Sequence, residues 1–279
     1  MKDLSSVRSL LFVPGNDEPK LEKALAAGAD AVVADLEDAV PAAEKPAARS
    51  LVARVLAAGE TSSVVTVRVN GVGTPFCEDD LRAVSGLELD ALVLPKATPE
   101  AVAALGPDGP PLAAIVETAK GLKRAFETAA SPRVAALMLG AVDLGLELGL
   151  EWRPDGQEVL FARSQLVLDS AAAGIRAPFD QVYVDTRDHE GLERECRLAR
   201  SLGFRGKACI HPAQLEIVSR VFSPGEDEVA RARRVVDAYE RAADEGRGAV
   251  ALDGEMIDLP VVERARQLVA EAERSAHGN

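Results

Sequence analysis

Acidic residues follow short apolar runs at several points of the chain, and this spacing is the first sign of chemistry. The run AVVA leads directly to Asp35, Glu37 and Asp38, and later runs lead in the same way to Glu117 and Asp143. Carboxylates that converged at one place would repel one another unless protons or a cation compensated their charge. A hard divalent ion such as Mg²⁺ is the simplest solution, because it binds one or two protein carboxylates and completes its coordination with water and substrate oxygens.

Basic residues stand at the ends of two further apolar runs. Arg68 lies in VVTVRV, and Lys96 follows ALVL and a proline. The planar guanidinium of Arg68 suits a bidentate contact with a substrate carboxylate, but an ion pair with nearby acids would look the same in the sequence. Lys96 could form a Schiff base in a metal-free aldolase, or it could have a structural or phosphate-contacting role. His211 in IHPAQ could act as a general base, or it could fix the last strand to its loop.

The apolar runs alternate with amphipathic stretches of helical spacing, which predicts repeated βα units around a parallel sheet. In chain order, the runs are LLFV, AVVA, VVTVRV, ALVL, AAIV, AALML, QVYV and KACI. Eight such units in roughly 220 residues predict an α/β fold, a (β/α)₈ TIM barrel. The carboxyl ends of the strands form the active site in such barrels, so the acidic and basic residues would meet there.

An open, doubly wound sheet is the alternative architecture. The stretch GVGTPF at 71–76 has the first two glycines of a dinucleotide-binding loop but not the third, and the sequence contains no GxxxxGK[ST] motif. The sequence therefore disfavours a nucleotide-binding Rossmann domain, while an open sheet without this motif is still compatible with it.

The pattern changes after residue 222. A charged helix, a short hairpin that turns near Asp253 and Gly254, and a final helix are predicted in the remainder. This segment is too small to hold a core of its own. We therefore predict a TIM-barrel catalytic domain at 1–222. The C-terminal helix-hairpin-helix extension at 223–279 would pack as a lid on the barrel or on an adjacent subunit.

Composition and charge argue against several kinds of partner and location. The net charge of −13 disfavours nucleic acid, whose phosphates require a basic surface. The three cysteines are scattered without CxxC spacing, which indicates a reducing compartment rather than a disulfide framework. The N-terminal SLLFV is too short for a signal peptide, and no apolar run approaches the length of a membrane span. We expect a cytoplasmic protein without a membrane partner.

A set of motifs in a fixed order gives the chain a wider resemblance. The motifs are LLFVPGN, VVADLEDAVPAAEKPAAR, VRVNGVGT, LVLPKA, AIVETAKG, LGAVDLGLELG, GFRGKACIHPAQ and ALDGEMIDLP. From about Arg8 to about Arg266, the chain resembles the citrate lyase β-subunit family, which includes malyl-CoA and citramalyl-CoA lyases within the HpcH/HpaI aldolase superfamily. Each motif alone has low specificity, whereas their joint occurrence in order has high specificity.

The resemblance implies a Mg²⁺-dependent carbon–carbon lyase. Such an enzyme cleaves or forms a 3-hydroxyacyl-CoA, for example malyl-, citramalyl- or citryl-CoA, through an enolate that the metal and an arginine stabilise. The products of cleavage would be acetyl-CoA and a 2-oxo acid, namely glyoxylate, pyruvate or oxaloacetate. The resemblance also implies a (β/α)₈ barrel assembled as a homo-oligomer, a trimer or a hexamer.

The same resemblance implies which residues would hold the metal. Glu117 of VETA and Asp143 of GAVDLG would be the Mg²⁺ ligands, and Glu117 would also contact the substrate. Glu37 and Asp38 would hold the waters bound to the metal. Acids at strand ends can instead cap the helices that follow them, and this reading stays open for all four residues.

The resemblance implies further residues for the substrate and for proton transfer. Arg68 of RVNG would contact the substrate and act in catalysis, and the backbone N–H groups of Gly140, Ala141 and Val142 would bind the substrate carboxylate. Asp258 of MID would reach the active site of an adjacent subunit as a catalytic acid or base. Because Asp258 precedes a predicted helix, it could instead cap that helix.

Other activities are compatible with the same set of residues. A malyl-CoA-type thioesterase would hydrolyse the thioester without breaking a carbon–carbon bond, and a CoA-independent aldolase would act on a 2-oxo acid alone. A subunit of a lyase complex that depends on a carrier protein, or that is not catalytic, is a further alternative. The identity of the products would separate the enzymes, and metal-dependent binding without turnover would indicate the non-catalytic subunit.

Overall fold

The computed structural model describes residues 2–59 and 61–277, and the side chains of 274–277 are left out of the description. The chain divides into two compact units, Met1–Phe222 and Ser223–Asn279. Each unit is described by itself below.

A curled parallel sheet forms the centre of the first unit. Within the described residues it has seven strands: β1 (Ser9–Pro14), β2 (Ala31–Asp35), β3 (Val64–Arg68), β4 (Ala91–Leu94), β5 (Leu112–Val116), β6 (Val134–Leu139) and β7 (Lys207–Cys209). The spatial order is β6-β5-β4-β3-β2-β1-β7, and every neighbouring pair is parallel. The carboxyl ends of all these strands therefore lie along one edge, as the alternation of apolar runs and helices predicts.

Phe179 and Asp180 lie between β6 and β7, the two strands at the ends of this order. Phe179 forms an isolated parallel bridge with Met138 of β6, and Asp180 forms another with Lys207 of β7. The two bridges place a single pair of residues, rather than a full strand, between β6 and β7.

The prediction of a seventh strand at QVYV, residues 181–184, is therefore wrong. These residues form no strand, and the bridging pair lies just before them. One physical reason is visible at Tyr183, whose backbone carbonyl accepts a hydrogen bond from the side chain of Gln214 at 2.8 Å. A side chain thus takes the place that a neighbouring strand would have in a ladder.

Helices of the first unit follow the strands in sequence, and the last of them comes after β7. They are α1 (Glu18–Leu25), α2 (Lys45–Ala58), α3 (Cys77–Val84), α4 (Pro99–Ala104), α5 (Ala119–Lys123), α6 (Ala125–Ala129), α7 (Ala141–Leu148), α8 (Leu160–Ala172), α9 (His189–Leu202) and α10 (Leu215–Phe222). Their apolar faces pack on the outer side of the sheet.

Residues of each strand alternate between two apolar layers. In β2, Val32 and Ala34 pack with helix residues such as Val52, whereas Ala31 and Val33 belong to a second layer made mainly of strand residues. This period of two follows from the pleat, which sends successive side chains to opposite faces. Because both faces are covered, the strands are apolar until they reach the edge, and polar side chains are concentrated where each strand ends.

The second unit has its own small apolar cluster. It comprises α11 (Glu226–Asp244), the antiparallel strands β8 (Val250–Leu252) and β9 (Glu255–Ile257), and α12 (Leu259–His277). Val235 of α11, Ile257 of β9 and Val262 of α12 are buried together. The hairpin turns at Asp253 and Gly254, both of which have positive φ angles, 52° and 84°.

A membrane crossing needs a long and strongly apolar helix, and none occurs among the residues that the structure describes.

A buried ion network holds the bridging segment in place. Asp180, which is fully buried, receives Arg163 Nε at 2.9 Å and Lys207 Nζ at 2.7 Å. Lys207 Nζ also lies 2.5 Å from Glu195 Oε1. Burial alone would raise the pKa of Asp180, but the two cations outweigh it and lower that pKa, so the carboxylate stays charged.

We predict that Asp180→Ala destabilises the protein by about 3–5 kcal/mol, because it removes the fully buried carboxylate that pairs with two buried cations. The free energy of unfolding in urea at neutral pH measures this change. As a control, Glu18→Ala removes the exposed partner of Arg54 and should leave the denaturation midpoint nearly unchanged. Equal midpoints for the two variants would contradict a structural role for the network.

Candidate active site

The first ion pair of the site follows from strand register. Asp35 ends β2 and Arg68 ends β3, and the two residues are direct partners in the parallel ladder. Arg68 Nε donates to Asp35 Oδ1 at 2.7 Å, and Arg68 Nη2 donates to Asp35 Oδ2 at 2.6 Å. Burial would lower the pKa of Arg68, but these hydrogen bonds and the nearby carboxylates raise it, so the guanidinium is a permanent cation.

The turn after β2 brings a second acid to Arg68. Asp35 accepts hydrogen bonds from the N–H groups of Glu37 and Ala39, and these bonds fold the turn back over the strand end. Glu37 is only 6% exposed, and its Oε2 lies 3.0 Å from Arg68 Nη1. Asp38 Oδ2 is more distant, at 3.7 Å from the same nitrogen, and its side chain is largely exposed.

Lys96 joins the acids that follow different strands. It lies just beyond β4, and its Nζ is 3.1 Å from Glu37 Oε1, 3.9 Å from Glu117 Oε1 and 3.3 Å from Asp143 Oδ2. Burial would lower the pKa of Lys96, but the carboxylates, Glu37 above all, raise it. A Schiff-base lysine needs a neutral amine, so this environment argues against a metal-free aldolase.

Glu117 is the most strongly perturbed carboxyl of the group. It directly follows β5, is 5% exposed, and its Oε1 accepts a hydrogen bond from the backbone N–H of Lys96 at 2.7 Å. Burial, followed by the charges of Glu37 and Asp143, raises its pKa to about 7. Thr118, rather than Glu117, caps α5 by accepting from Gly121 N at 2.9 Å. The helix-capping reading of Glu117 is therefore wrong.

The amino end of α7 lies beside these carboxylates. Gly140 links β6 to the helix, and Asp143 lies in the first turn with its carboxylate directed at Lys96. A Cβ on Gly140 would stand 2.4 Å from Glu117 Cβ, so only glycine permits this close passage. Gly140 thus lets the start of α7, which carries Asp143, pass close to Glu117, the other acid that the resemblance implies as a metal ligand.

The three backbone donors expected at Gly140, Ala141 and Val142 are not equivalent. The N–H of Gly140 donates to Val116 O at 3.0 Å, so the expectation that it binds a substrate carboxylate is corrected. The N–H groups of Ala141 and Val142 make no hydrogen bond within the part of the chain that the structure describes. Free donors in the first turn of a helix attract anions, so these two remain suitable for a carboxylate.

A cleft of about 510 Å³ opens over this edge, and its size is typical of small-molecule sites. Arg68, Glu117 and Asp143 line it together with the start of α7. The remaining wall is largely apolar and includes Phe12, Ile115, Met138, Val182, Val184 and Ile210. The cleft can therefore hold an anionic group at one side and an apolar portion at the other.

The chemistry of these oxygens suits a hard divalent cation. No three His, Cys, Asp or Glu side chains form a complete metal group among the described residues. Mg²⁺ needs only one or two protein carboxylates, however, and Glu117 and Asp143 both face Lys96 Nζ. Glu37 Oε2 is buried and lies 3.0 Å from Arg68 Nη1, but it accepts no hydrogen bond from the described residues. Buried oxygens in this state are suited to a cation or its waters.

Two further candidates have local roles in the structure. His211 Nδ1 accepts a hydrogen bond from Ala213 N at 3.1 Å and starts the turn that follows β7, which agrees with the structural alternative. Asp258 Oδ1 accepts from Val261 N at 3.4 Å at the beginning of α12, in the second unit. Asp258 therefore caps α12.

Neither the central position of Lys96 nor the anchoring role of Asp35 was predicted from the sequence. Both residues stood at strand ends, so the pattern located them, but no periodic signal shows which acid pairs with which cation. The weak signal for Asp35 was its place directly before the turn, where short acidic side chains often accept backbone hydrogen bonds.

Comparison with known proteins places these features in a family. Residues 8–106 and 107–212 match the sequence profile of HpcH/HpaI aldolase/citrate lyase. The chain is similar to (3S)-malyl-CoA thioesterase from Cereibacter sphaeroides strain KD131, with 42% identity over 274 residues that cover 96% of this chain and 95% of the relative. It is also similar to citrate lyase subunit beta from Escherichia coli K12, with 38% identity over 284 residues, covering 96% of this chain and 94% of the relative.

Solved structures show the same relationship. The structure of CitE from Mycobacterium tuberculosis in complex with magnesium, acetoacetate and coenzyme A superposes with a TM-score of 0.85. The two sequences are 36% identical, and the match covers 97% of this chain and all of that one. Another complex of the M. tuberculosis citrate lyase beta subunit contains oxaloacetate and magnesium, and it has 36% identity and a TM-score of 0.72 over 80% of this chain and all of that one.

Gly140→Ala should destabilise the first unit by about 1–3 kcal/mol, because the added Cβ overlaps Glu117 and forces that side chain or the backbone to move. Urea denaturation measures the change. Gly86→Ala is the matched control: a Cβ there meets nothing within 4 Å, and its φ is not in the left-handed region. The control should be neutral or slightly stabilising, since alanine restricts the unfolded chain. An equal change at both glycines would contradict the close passage.

In EDTA, stability should fall as pH rises from 4.5 to about 7, because folding raises the pKa of Glu117 over this range. The folded carboxyl binds its proton more tightly than the unfolded one, so loss of the proton disfavours folding, by up to about 3 kcal/mol. Glu117→Gln should remove this part of the pH dependence, and the exposed control Glu127→Gln should keep it. Parallel curves for wild type and Glu117→Gln would refute the assignment.

Proposed function

Because the chain belongs to the HpcH/HpaI aldolase/citrate lyase family, we propose that it is a Mg²⁺-dependent carbon–carbon lyase. It would cleave, or form, a 3-hydroxyacyl-CoA, with acetyl-CoA and a 2-oxo acid as the products of cleavage. One observation carries the proposal: Glu117, Asp143, Arg68 and the free donors of α7 all line one cleft.

The carboxylates and the amino end of α7 would have different parts in binding: the carboxylates would hold the metal, and the helix end would hold the substrate. Glu117 and Asp143 would hold Mg²⁺, with Glu37 and Asp38 placed to bind its waters. The N–H groups of Ala141 and Val142 would receive the carboxylate of the 2-oxo acid portion. Solved structures of M. tuberculosis CitE with magnesium and pyruvate, and of the citrate lyase beta subunit of the same organism with oxaloacetate and magnesium, support a 2-oxo acid as the ligand.

Carbon–carbon cleavage requires a proton to leave the substrate hydroxyl and negative charge to develop on the thioester enolate. Mg²⁺, when bound, supplies a Lewis acid for the carbonyl of the 2-oxo acid. Arg68 has N–H groups beyond the two that bind Asp35, and it would meet the enolate charge from a fixed position. Asp35 thus orients the guanidinium before the substrate arrives, which lowers the cost of reorganisation during the reaction.

Proton transfer is assigned to Asp258. A carboxylate at the start of α12 is suited to accept the hydroxyl proton or to return one to the enolate carbon. We propose that it acts in the active site of an adjacent subunit of a homo-oligomer, a trimer or a hexamer. Exposed apolar side chains on the first unit, including Leu146, Phe161 and Leu168, support an interface between copies.

The finer architecture is part of the same proposal. We propose that the curled sheet is a (β/α)₈ barrel in which Phe179 and Asp180 take the place of the remaining strand. Residues 1–222 would be the catalytic domain and 223–279 an extension that serves as a lid on the barrel or on a neighbouring subunit. Three buried cysteines without a disulfide support a reducing, cytoplasmic location.

Two other activities have specific support. The (3S)-malyl-CoA thioesterase relative favours hydrolysis of a malyl-CoA-type thioester as the second candidate. The citrate lyase subunit beta of E. coli favours a chain that acts within a larger complex, on a carrier-bound substrate or without catalysis of its own. A CoA-independent 2-oxo acid aldolase could use the same carboxylates.

Mass spectrometry of products tests the lyase. The purified protein with Mg²⁺ should convert malyl-, citramalyl- or citryl-CoA to acetyl-CoA and a 2-oxo acid. Glu117→Gln and EDTA should each lower the rate by about 100-fold or more, because the metal and its charge stabilisation are lost. Asp258→Asn should lower the rate while Mg²⁺ binding is retained.

Glu127→Gln, in an exposed part of α6, is the matched control and should keep the wild-type rate. Release of free CoA with an intact hydroxy acid would replace the lyase with the thioesterase. Absence of turnover on all free thioesters would overturn the stand-alone enzyme and favour a subunit of a complex.

A further inference from the structure

Lys96 has a side-chain arrangement that the mechanism above does not use. Its ammonium lies within 3.1–3.9 Å of three carboxylates, those of Glu37, Glu117 and Asp143, which follow three different strands. Glu117 and Asp143 are the two acids proposed to hold Mg²⁺. The ammonium is therefore drawn to the same oxygens that a divalent cation would use.

The backbone of Lys96 supports this placement. Its φ angle is +49°, a left-handed conformation that is uncommon for residues other than glycine. In this conformation the N–H donates to Glu117 Oε1 at 2.7 Å while the side chain extends toward Glu37. Backbone and side chain of one residue thus hold two of the carboxylates, which explains why an unusual conformation is kept at this point of the chain.

The side chain can also leave the cluster. It is 46% exposed, so the ammonium can reach solvent without crossing the apolar core. An ammonium group and a divalent metal at the same oxygens repel each other, so they must compete for the carboxylates.

We propose that Lys96 is a built-in counter-cation that competes with Mg²⁺ for Glu37, Glu117 and Asp143, and that metal binding releases its ammonium from the cluster. The inference rests on the proposed function, since it concerns the same metal. Lys96 keeps the converging acids together at the cost of weaker metal binding. By reciprocity, the metal weakens the hold of the carboxylates on Lys96 by the same factor.

Isothermal titration calorimetry of the full chain with MgCl₂, without substrate, tests the competition. Lys96→Met and Lys96→Gln should bind Mg²⁺ at least about tenfold more tightly than wild type, because one positive charge near 4 Å is removed. Lys120→Met is the matched control, with the same change in net charge. Lys120 is largely exposed, pairs with Glu100 at 3.8 Å, and should leave the affinity for Mg²⁺ unchanged.

A measurement on the wild-type side chain tests the release of the ammonium directly. In protein labelled with ¹³C at lysine Cε, the Lys96 resonance, assigned by its absence from Lys96→Gln or by its sensitivity to the nearby acids, should shift on saturation with Mg²⁺. The Lys120 resonance should stay in place. This shift reports release of the ammonium without reference to catalytic activity.

The outcomes separate the two proposals. Equal or weaker Mg²⁺ binding by the Lys96 variants, or a Lys96 resonance that does not move, overturns the competition while the metal-dependent function stands. Absence of Mg²⁺ binding in wild type and in every variant overturns both the competition and the metal-dependent function. Tight binding by the variants alone supports the competition.

Discussion

Like charge at one edge of the curled sheet is the constraint on which the site depends. Asp35, Glu37, Glu117 and Asp143 carry more negative charge than Arg68 and Lys96 supply. Inside a poorly polarisable protein such an imbalance is costly, and it can be relieved only by protons or by another cation. Burial, and after it the charges of neighbouring carboxylates, raises the pKa values of Glu37 and Glu117. A divalent metal would relieve the imbalance without protonation.

The scaffold makes this concentration of charge tolerable by rigid local packing. Strand register fixes Asp35 beside Arg68, so the strongest pair in the site is set by the backbone ladder. Gly140 lets the start of α7 approach Glu117 closely, which brings Asp143 to the same point. Such a site is largely formed before any ligand binds, and this favours electrostatic stabilisation of charge that develops in a reaction.

A lyase and a thioesterase would need similar contributions from this cluster of charged side chains. Both require a polarised carbonyl and a bound anionic substrate. They differ in whether a base removes the hydroxyl proton of the substrate or water reaches the thioester. The discriminating features are therefore the proton-transfer group and the exclusion of water.

Much of the architecture could be predicted from the sequence, because its determinants are local. Apolar runs of strand length, each followed by a helical stretch, determine a parallel sheet, and the polar residues that stop the runs must lie at its carboxyl edge. The order of the motifs determined the family. The prediction of a strand at QVYV failed although that run has strand-like composition. The backbone carbonyl of Tyr183 accepts a hydrogen bond from the side chain of Gln214, which is distant in the chain.

Only the tertiary structure decided how the charges are distributed. The sequence placed Glu117, Asp143, Arg68 and Lys96 at strand ends, but it contained no information on which acid faces which cation. It also could not show that Val116 takes the N–H of Gly140 and leaves two donors in α7. These contacts join residues that are far apart in the chain, and their distances follow from sheet curvature and side-chain packing. Periodicity reports the face or end on which a residue lies, whereas pairing energies arise only after the strands have come together.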